Sequence, residues 1–154
     1  VSLEIGDAAP DFRMPGDAGE IALADLKSKA VVLYFYPKDD TSGCTSEAQA
    51  FTAAADDFAK AGAVVVGVSK DSAASHAKFR AKYGLSPLLG SDKDGDVVER
   101  YGAWVEKSMY GRKYMGIDRS TFLIDKAGVI RRIWRKVKVP GHAAEVLEAV
   151  KNLG

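Results

Sequence analysis

Two uninterrupted apolar runs organise the chain: Val31 to Tyr36, and Ala63 to Val68. The first is β-branched at its start and stopped by Pro37. A run apolar at every position predicts a strand buried on both faces, hence central and parallel to a neighbour. Between the runs Phe51, Ala55 and Phe58 fall at i, i+4 and i+7, the stripe of one amphipathic helix, with Gly62 as its stop. Strand, helix and strand then connect by a right-handed crossover. Ser72 is placed to cap a second helix, on which His76, Phe79 and Tyr83 share a face before Gly84 ends it. Ser86-Pro87 and the segment Ser91 to Gly95 carry turn residues, and a short helix is expected from Val97 to Tyr101. Ser120 to Ile124 and Val129 to Trp134 flank the turn Asp125-Lys126-Ala127-Gly128 and predict a β-hairpin. Pro140-Gly141 opens a last helix with Val146, Leu147 and Val150 facing inward.

The expected order is β-α-β-α, a loop region, then β-β-α. Strands that begin parallel and finish as a hairpin make a mixed central sheet flanked by helices on both faces, an α/β protein of thioredoxin-like fold. With 154 residues and neither a repeat nor a linker, the chain reads as a single domain, residues 1–154.

Charge and composition mostly exclude. Lys+Arg 22 against Asp+Glu 21 leaves a formal net charge of +1, which gives no reason to expect nucleic acid or an anionic membrane as partner. No apolar run approaches the ~20 residues that span a bilayer. The opening VSLEIGDAAP has no basic region followed by an apolar stretch, so no signal peptide is expected. The single cysteine, Cys44, rules out a disulfide scaffold and fits a reducing, cytoplasmic setting. A lone thiol is either an inert packing residue or a reactive one, and its neighbourhood decides.

That neighbourhood is Tyr36-Pro37-Lys38-Asp39-Asp40-Thr41-Ser42-Gly43-Cys44-Thr45-Ser46-Glu47. A buried strand ends at Pro37, a polar loop follows, and Thr41 is a good helix cap, which puts Cys44 third in the helix. Unpaired N–H groups and the positive end of the macrodipole meet there, favouring the sulfur as its nucleophilic anion. The carboxyl end of a strand is also where open α/β sheets bind ligands. Reducing a peroxide requires donors at the departing oxygen as well. The amides of Gly43 and Cys44, the Thr41 hydroxyl and one arginine would suffice, and Gly43 allows close backbone approach.

Pro37-x-x-x-Thr41-x-x-Cys44 resembles the active-site motif of peroxiredoxins, and the string YFYPKDDTSGCTSEAQAF is similar to the peroxiredoxin Q, or bacterioferritin comigratory protein, subfamily. The likeness extends to Gly6-Asp7-x-x-Pro10-x-Phe12, Gly67-Val68-Ser69-x-Asp71 and Arg119-Ser120-Thr121-Phe122-Leu123-Ile124-Asp125. The resemblance implies that Cys44 is the peroxidatic nucleophile, that the Thr41 hydroxyl contacts thiolate and peroxide, and that Pro37 shields the pocket. It also implies that Arg119 stabilises the thiolate and polarises the peroxide; spacing alone does not single Arg119 out. No cofactor or metal is implied, and the subfamily's monomeric habit implies a monomer. One departure matters. Many relatives carry a resolving cysteine five residues after the first, where this chain has Gln49, and others place it on the following helix, where this chain has Ser75 and no thiol. The sulfenic acid must then be resolved by an external thiol, such as thioredoxin or glutaredoxin with glutathione.

Other features weigh less. His76 and His142 are the only histidines, expected as a helix residue and a first-turn residue; a Cys44–His dyad is the hydrolase alternative. Zinc-like ligand spacing is absent. Asp92-Lys93-Asp94-Gly95-Asp96 resembles a calcium loop, but its glycine comes too early and no glutamate closes it, so it reads as a turn and helix cap. Arg131, Arg132, Arg135, Lys136 and Lys138 read as a solvated face rather than an anion surface, and Trp104, Trp134, Phe35 and Met115 as core or pocket wall. The alternative to a peroxidase is a redox-sensing or binding module without turnover. Threonine and arginine beside the thiolate favour the enzyme, since they serve to activate peroxide.

Overall fold

The computed structural model describes residues 2–153, so Val1 and Gly154 of the expected domain lie outside the described residues. Elements follow in chain order: β1 Arg13–Met14, β2 Ile21–Ala22, a 3-10 turn Leu23–Leu26, β3 Ala30–Phe35, α1 Ser42–Ala53 and α2 Ala55–Lys60. Next come β4 Ala63–Ser69, α3 Ala73–Tyr83, β5 Leu88–Ser91, α4 Val97–Arg100, β6 Trp104–Met109 and β7 Arg112–Ile117. The chain closes with β8 Ser120–Ile124, β9 Ile130–Trp134 and α5 His142–Lys151.

The two apolar runs are neighbours in a five-stranded sheet of order β5-β4-β3-β8-β9. β3 pairs parallel with β4 (Val31 opposite Val64) and antiparallel with β8 (Val31 opposite Ile124), so it is central and the sheet is mixed. Alternation along β3 splits its side chains between two cores. Val32, Tyr34 and Tyr36 join Phe51, Phe58, Phe79 and Val146, contributed by α1, α2, α3 and α5. Val31, Leu33 and Phe35 join Val66, Phe122, Val98 and Tyr101 on the opposite face, under α4 and the N-terminal segment. Each large side chain fully buried in these layers contributes roughly 1.5–3 kcal/mol. This is the expected thioredoxin-like α/β sheet with helices on both faces, most of them on one.

Several details depart from the sequence expectation, among them Met115, read as core or pocket wall but exposed on β7. The helix expected to run through Phe51 and Phe58 breaks at Ala54 (φ −95°, ψ 7°) into α1 and α2. The break keeps Phe51 and Phe58 in one core, their ring centroids 5.8 Å apart. Leu88–Ser91, between the two expected turns, is an edge strand parallel to β4. The expected loop region holds a hairpin, β6 with β7, turning at Tyr110 (φ 52°) and Gly111 (φ 78°). Positive φ at both central residues is the hairpin-turn signature, and Gly111 supplies one of them without strain. Ser72 does cap α3, accepting from the Ser75 N–H at 3.1 Å, and Gly84 ends it at φ 62°. Asp92 caps α4, its carboxylate accepting from the N–H groups of Val97 and Val98. Among the described residues, no helix is long and apolar enough to cross a membrane.

Candidate active site

β3 delivers the chain to its carboxyl end, where the Tyr36 N–H still bonds the Val68 carbonyl at 3.0 Å. The loop from Pro37 to Thr41 leads directly into α1. Thr41 is extended (φ −96°, ψ 156°) and occupies the cap position, so Cys44 is the third residue of the helix, as expected. The capping bond itself is replaced: the Thr41 hydroxyl donates to the Lys38 carbonyl at 2.8 Å, closing the loop on itself. The hydroxyl oxygen keeps acceptor capacity in this arrangement. Thr41 and Pro37 are exposed, whereas Cys44 is buried, with 2% of its surface accessible.

Arg119, at the head of β8, crosses to this helix end. Its Nη2 donates to Cys44 Sγ at 3.3 Å and its Nη1 to Glu47 Oε1 at 2.7 Å. Burial opposes the guanidinium's charge, but Glu47 and Cys44 outweigh burial and raise its pKa further. A fixed cation thus faces a sulfur in the first turn of a helix, where the positive end of the helix dipole also points. Gly43 has a second reason to lack a side chain: a Cβ there would stand 3.2 Å from Arg119 Nη2.

Glu47 is the site residue that sequence reasoning missed. It is 1% exposed, one helical turn beyond Cys44, and burial pushes its pKa up to about 7 against the pull of Arg119. Its Oε1 meets Arg119, while Oε2 is buried with no hydrogen-bond partner. The i, i+3 spacing from Cys44 was the available signal, since such pairs share a helix face.

The two histidines serve elsewhere. His142 Nε2 lies 2.8 Å from Thr121 Oγ1, and burial lowers its pKa. His76 Nδ1 lies 2.8 Å from Asp39 Oδ2. Of the basic stretch, Arg131 pairs with Asp125 at 3.3 Å and Arg135 donates to the Gly102 and Tyr101 carbonyls.

A buried thiol at a helix N-terminus, under a guanidinium, at the end of a central strand, defines a protein of thiol chemistry on a thioredoxin-like sheet. The AhpC/TSA family matches residues 5–133, and the chain belongs to that family, as a peroxiredoxin of the Q or bacterioferritin comigratory protein type. A putative peroxiredoxin bcp of Coxiella burnetii is 55% identical over 148 residues, covering 96% of this chain and 98% of that protein. Peroxiredoxin Bcp of Bacillus subtilis is 48% identical over 154 residues, covering 99% and 98%. Among solved structures, Xanthomonas campestris peroxiredoxin Q superposes with a TM-score of 0.89 at 43% identity, covering 98% of this chain and 96% of that one. A bacterioferritin comigratory protein from the same organism, described for alkyl peroxide reduction, gives a TM-score of 0.88 at 43% identity, covering 97% and 96%.

Proposed function

We propose that this peroxiredoxin is a one-cysteine thiol peroxidase in which Cys44 reduces hydrogen peroxide and organic hydroperoxides. The Cys44 thiolate attacks the terminal oxygen of R–O–O–H. The S–O bond forms as the O–O bond breaks, leaving Cys44–S–O–H and an alkoxide or hydroxide that takes a proton from water. Arg119 and the Gly43 and Cys44 amides are the donors assigned to the developing charge, the Thr41 hydroxyl, whose proton is held by Lys38, is assigned to accepting from the peroxide O–H, and Pro37 is assigned to shielding the pocket. Donors fixed in advance stabilise such charge without reorganising at the moment of reaction.

The observation that carries this reading is the 3.3 Å contact between Arg119 Nη2 and the sulfur of the chain's sole cysteine. Because no second thiol exists in the chain, the sulfenic acid is resolved from outside. An external thiol condenses with it, releasing water and leaving a mixed disulfide on Cys44, which a second thiol reduces by exchange. We assign that role to thioredoxin or to glutaredoxin with glutathione, and the protein to a cytoplasmic monomer of one domain. The lone free thiol suits a reducing compartment.

One equivalent of peroxide is expected to yield a monomeric sulfenate, one oxygen heavier by intact mass and trapped by a dicarbonyl reagent. Peroxide consumption with each reductant then shows which one sustains turnover, and Cys44→Ser abolishes it. A main product consisting of two chains joined through Cys44 refutes external resolution, and full turnover in Cys44→Ser refutes the peroxidase itself.

A further inference from the structure

Helix α3 holds the Cys44 loop through a buried polar cluster to which the peroxidase reaction as described assigns no part. Asp39, between Pro37 and Thr41, is buried, and its carboxylate gathers three donors. Tyr36 Oη reaches Oδ1 at 2.6 Å, Ser75 Oγ reaches Oδ2 at 2.7 Å, and His76 Nδ1 lies 2.8 Å from the same oxygen. The other ring nitrogen, Nε2, lies 2.9 Å from the Gly90 carbonyl on β5. Both nitrogens of a ring 0% exposed therefore face acceptors, and only the doubly protonated ring can donate to both. The hydroxyls of Tyr36 and Ser75, together with His76, favour the ionised form of the Asp39 carboxylate.

Further contacts tighten the same loop. The Asp39 N–H donates to Asp71 Oδ2 at 2.8 Å. The next residue, Asp40, is a non-glycine held at φ 59°, with its carboxylate bound by Lys82 Nζ at 2.8 Å and Tyr83 Oη at 2.7 Å, both from α3. A left-handed aspartate costs energy and persists where its surroundings over-determine it. Thr41 follows immediately, tied back to Lys38. The loop's shape, and with it the place of the Thr41 hydroxyl and the first turn of α1, is thus set by α3.

We propose that His76, as a buried imidazolium, is a positioning residue for the Cys44 reaction: through Asp39 it fixes the loop that presents Thr41 and the start of α1 to the peroxide. The inference rests on the peroxidase reading above. The groups facing His76 are Asp39 and Tyr36 from β3 and its loop, Asp71 from the loop after β4, Ser75 on its own helix, and the Asp17–Arg80 pair nearby. Burial opposes the charge on the ring, but the bond and the charge of Asp39 outweigh it and raise its pKa above 6.5. Burial likewise opposes the charge of Asp39, and the bonds from His76, Tyr36 and Ser75 hold its carboxyl below the usual range. The sign follows: the pair is intact once Asp39 is ionised, and it is lost as pH rises through the raised value for His76.

The test is the second-order rate of Cys44 oxidation by hydrogen peroxide, followed by quenched intact mass from pH 6 to 10. In the unsubstituted protein the rate is expected to fall as pH rises through the raised value at which His76 loses its proton. His76→Gln keeps a donor that cannot be charged; it is expected to lose that fall and to react roughly 10- to 100-fold more slowly at pH 7, the scale of a sub-ångström to 1 Å misplacement. Asp39→Asn is expected to show a similar loss at pH 7, and it carries the test if His76→Gln does not fold. A purely structural role lowers the melting temperature but leaves the pH profile of the folded variants unchanged. An unchanged rate in Asp39→Asn, an alkaline fall that persists in His76→Gln, or a flat profile in the unsubstituted protein overturns the proposal. Failure of the unsubstituted protein to react with peroxide instead overturns the peroxidase reading.

Discussion

Replacing Glu47 by Gln should make the protein's stability less sensitive to alkali, and the size of the effect follows from the burial of one carboxyl. Glu47 is 1% exposed, and burial raises its pKa from 4.5 to about 7. A carboxyl whose pKa is higher folded than unfolded favours the folded state fully below its unfolded value, and the advantage is lost as pH rises through the folded one. Between pH 5 and pH 8 the unfolded chain keeps Glu47 mostly ionised, while the folded chain must give up the proton. Integrating that difference gives a loss of roughly 2–3 kcal/mol across the interval, a large share of a typical domain's stability. Glutamine keeps the shape and does not titrate. Urea unfolding of the protein and of Glu47→Gln, both in a Cys44→Ser background that removes thiol ionisation, measures the gap at each pH. The gap should move by roughly 2–3 kcal/mol in glutamine's favour from pH 5 to pH 8. Any constant offset reports the altered bond to Arg119, so a gap that does not change with pH refutes the raised pKa.

Three further outcomes test the site. Arg119→Ala should slow oxidation of Cys44 by roughly 10²–10³, as expected for one lost donor to developing charge, and an unchanged second-order rate removes Arg119 from the mechanism. Thr41→Ser should retain most activity and Thr41→Val lose most of it, because valine keeps the shape and discards the hydroxyl; equal rates would leave Thr41 only its place at the helix start. Gly43→Ala places a Cβ 3.2 Å from Arg119 Nη2, so its rate should move toward that of Arg119→Ala while the far-ultraviolet spectrum stays unchanged.

Much of this architecture was legible because it is written in local pattern. Val31 to Tyr36 is apolar at every position, and the fold answers with a strand buried on both faces between two partners. Thr41 three residues before Cys44 was enough to place the thiol in the first turn of α1. The β6–β7 hairpin was not legible for the opposite reason. Its strands are largely exposed and carry Glu106, Lys107, Ser108, Arg112 and Lys113, so no alternation of apolar and polar residues marks them. The turn at Tyr110-Gly111 lacks the Asn-Gly or Asp-Gly pair that would have flagged a hairpin. The break at Ala54 escaped because alanine is the strongest helix former, and core packing overrode that preference.

The site divides along the same line, between what the chain holds nearby and what folding brings from afar. Cys44, Gly43 and Thr41 are neighbours, so one helix start specifies all three. Arg119 arrives from 75 positions away, and nothing in its own surroundings distinguishes it from the other basic residues. Only the resemblance singled it out, and the fold gives the physical reason: β8 lies beside β3, so the head of β8 stands next to the end of β3 where α1 begins. Once Arg119 is there, Glu47 must face it, because a residue one turn beyond Cys44 on α1 shares its side of the helix. Asp39 and His76 obey the same logic over 37 positions. Each group was visible in the sequence, but its partner was not, since pairing is a property of the sheet order rather than of spacing. The charged groups beside Cys44 are therefore set by which strands lie side by side, and a substitution that shifts β8 against β3 should act on the site as surely as one that touches the thiol.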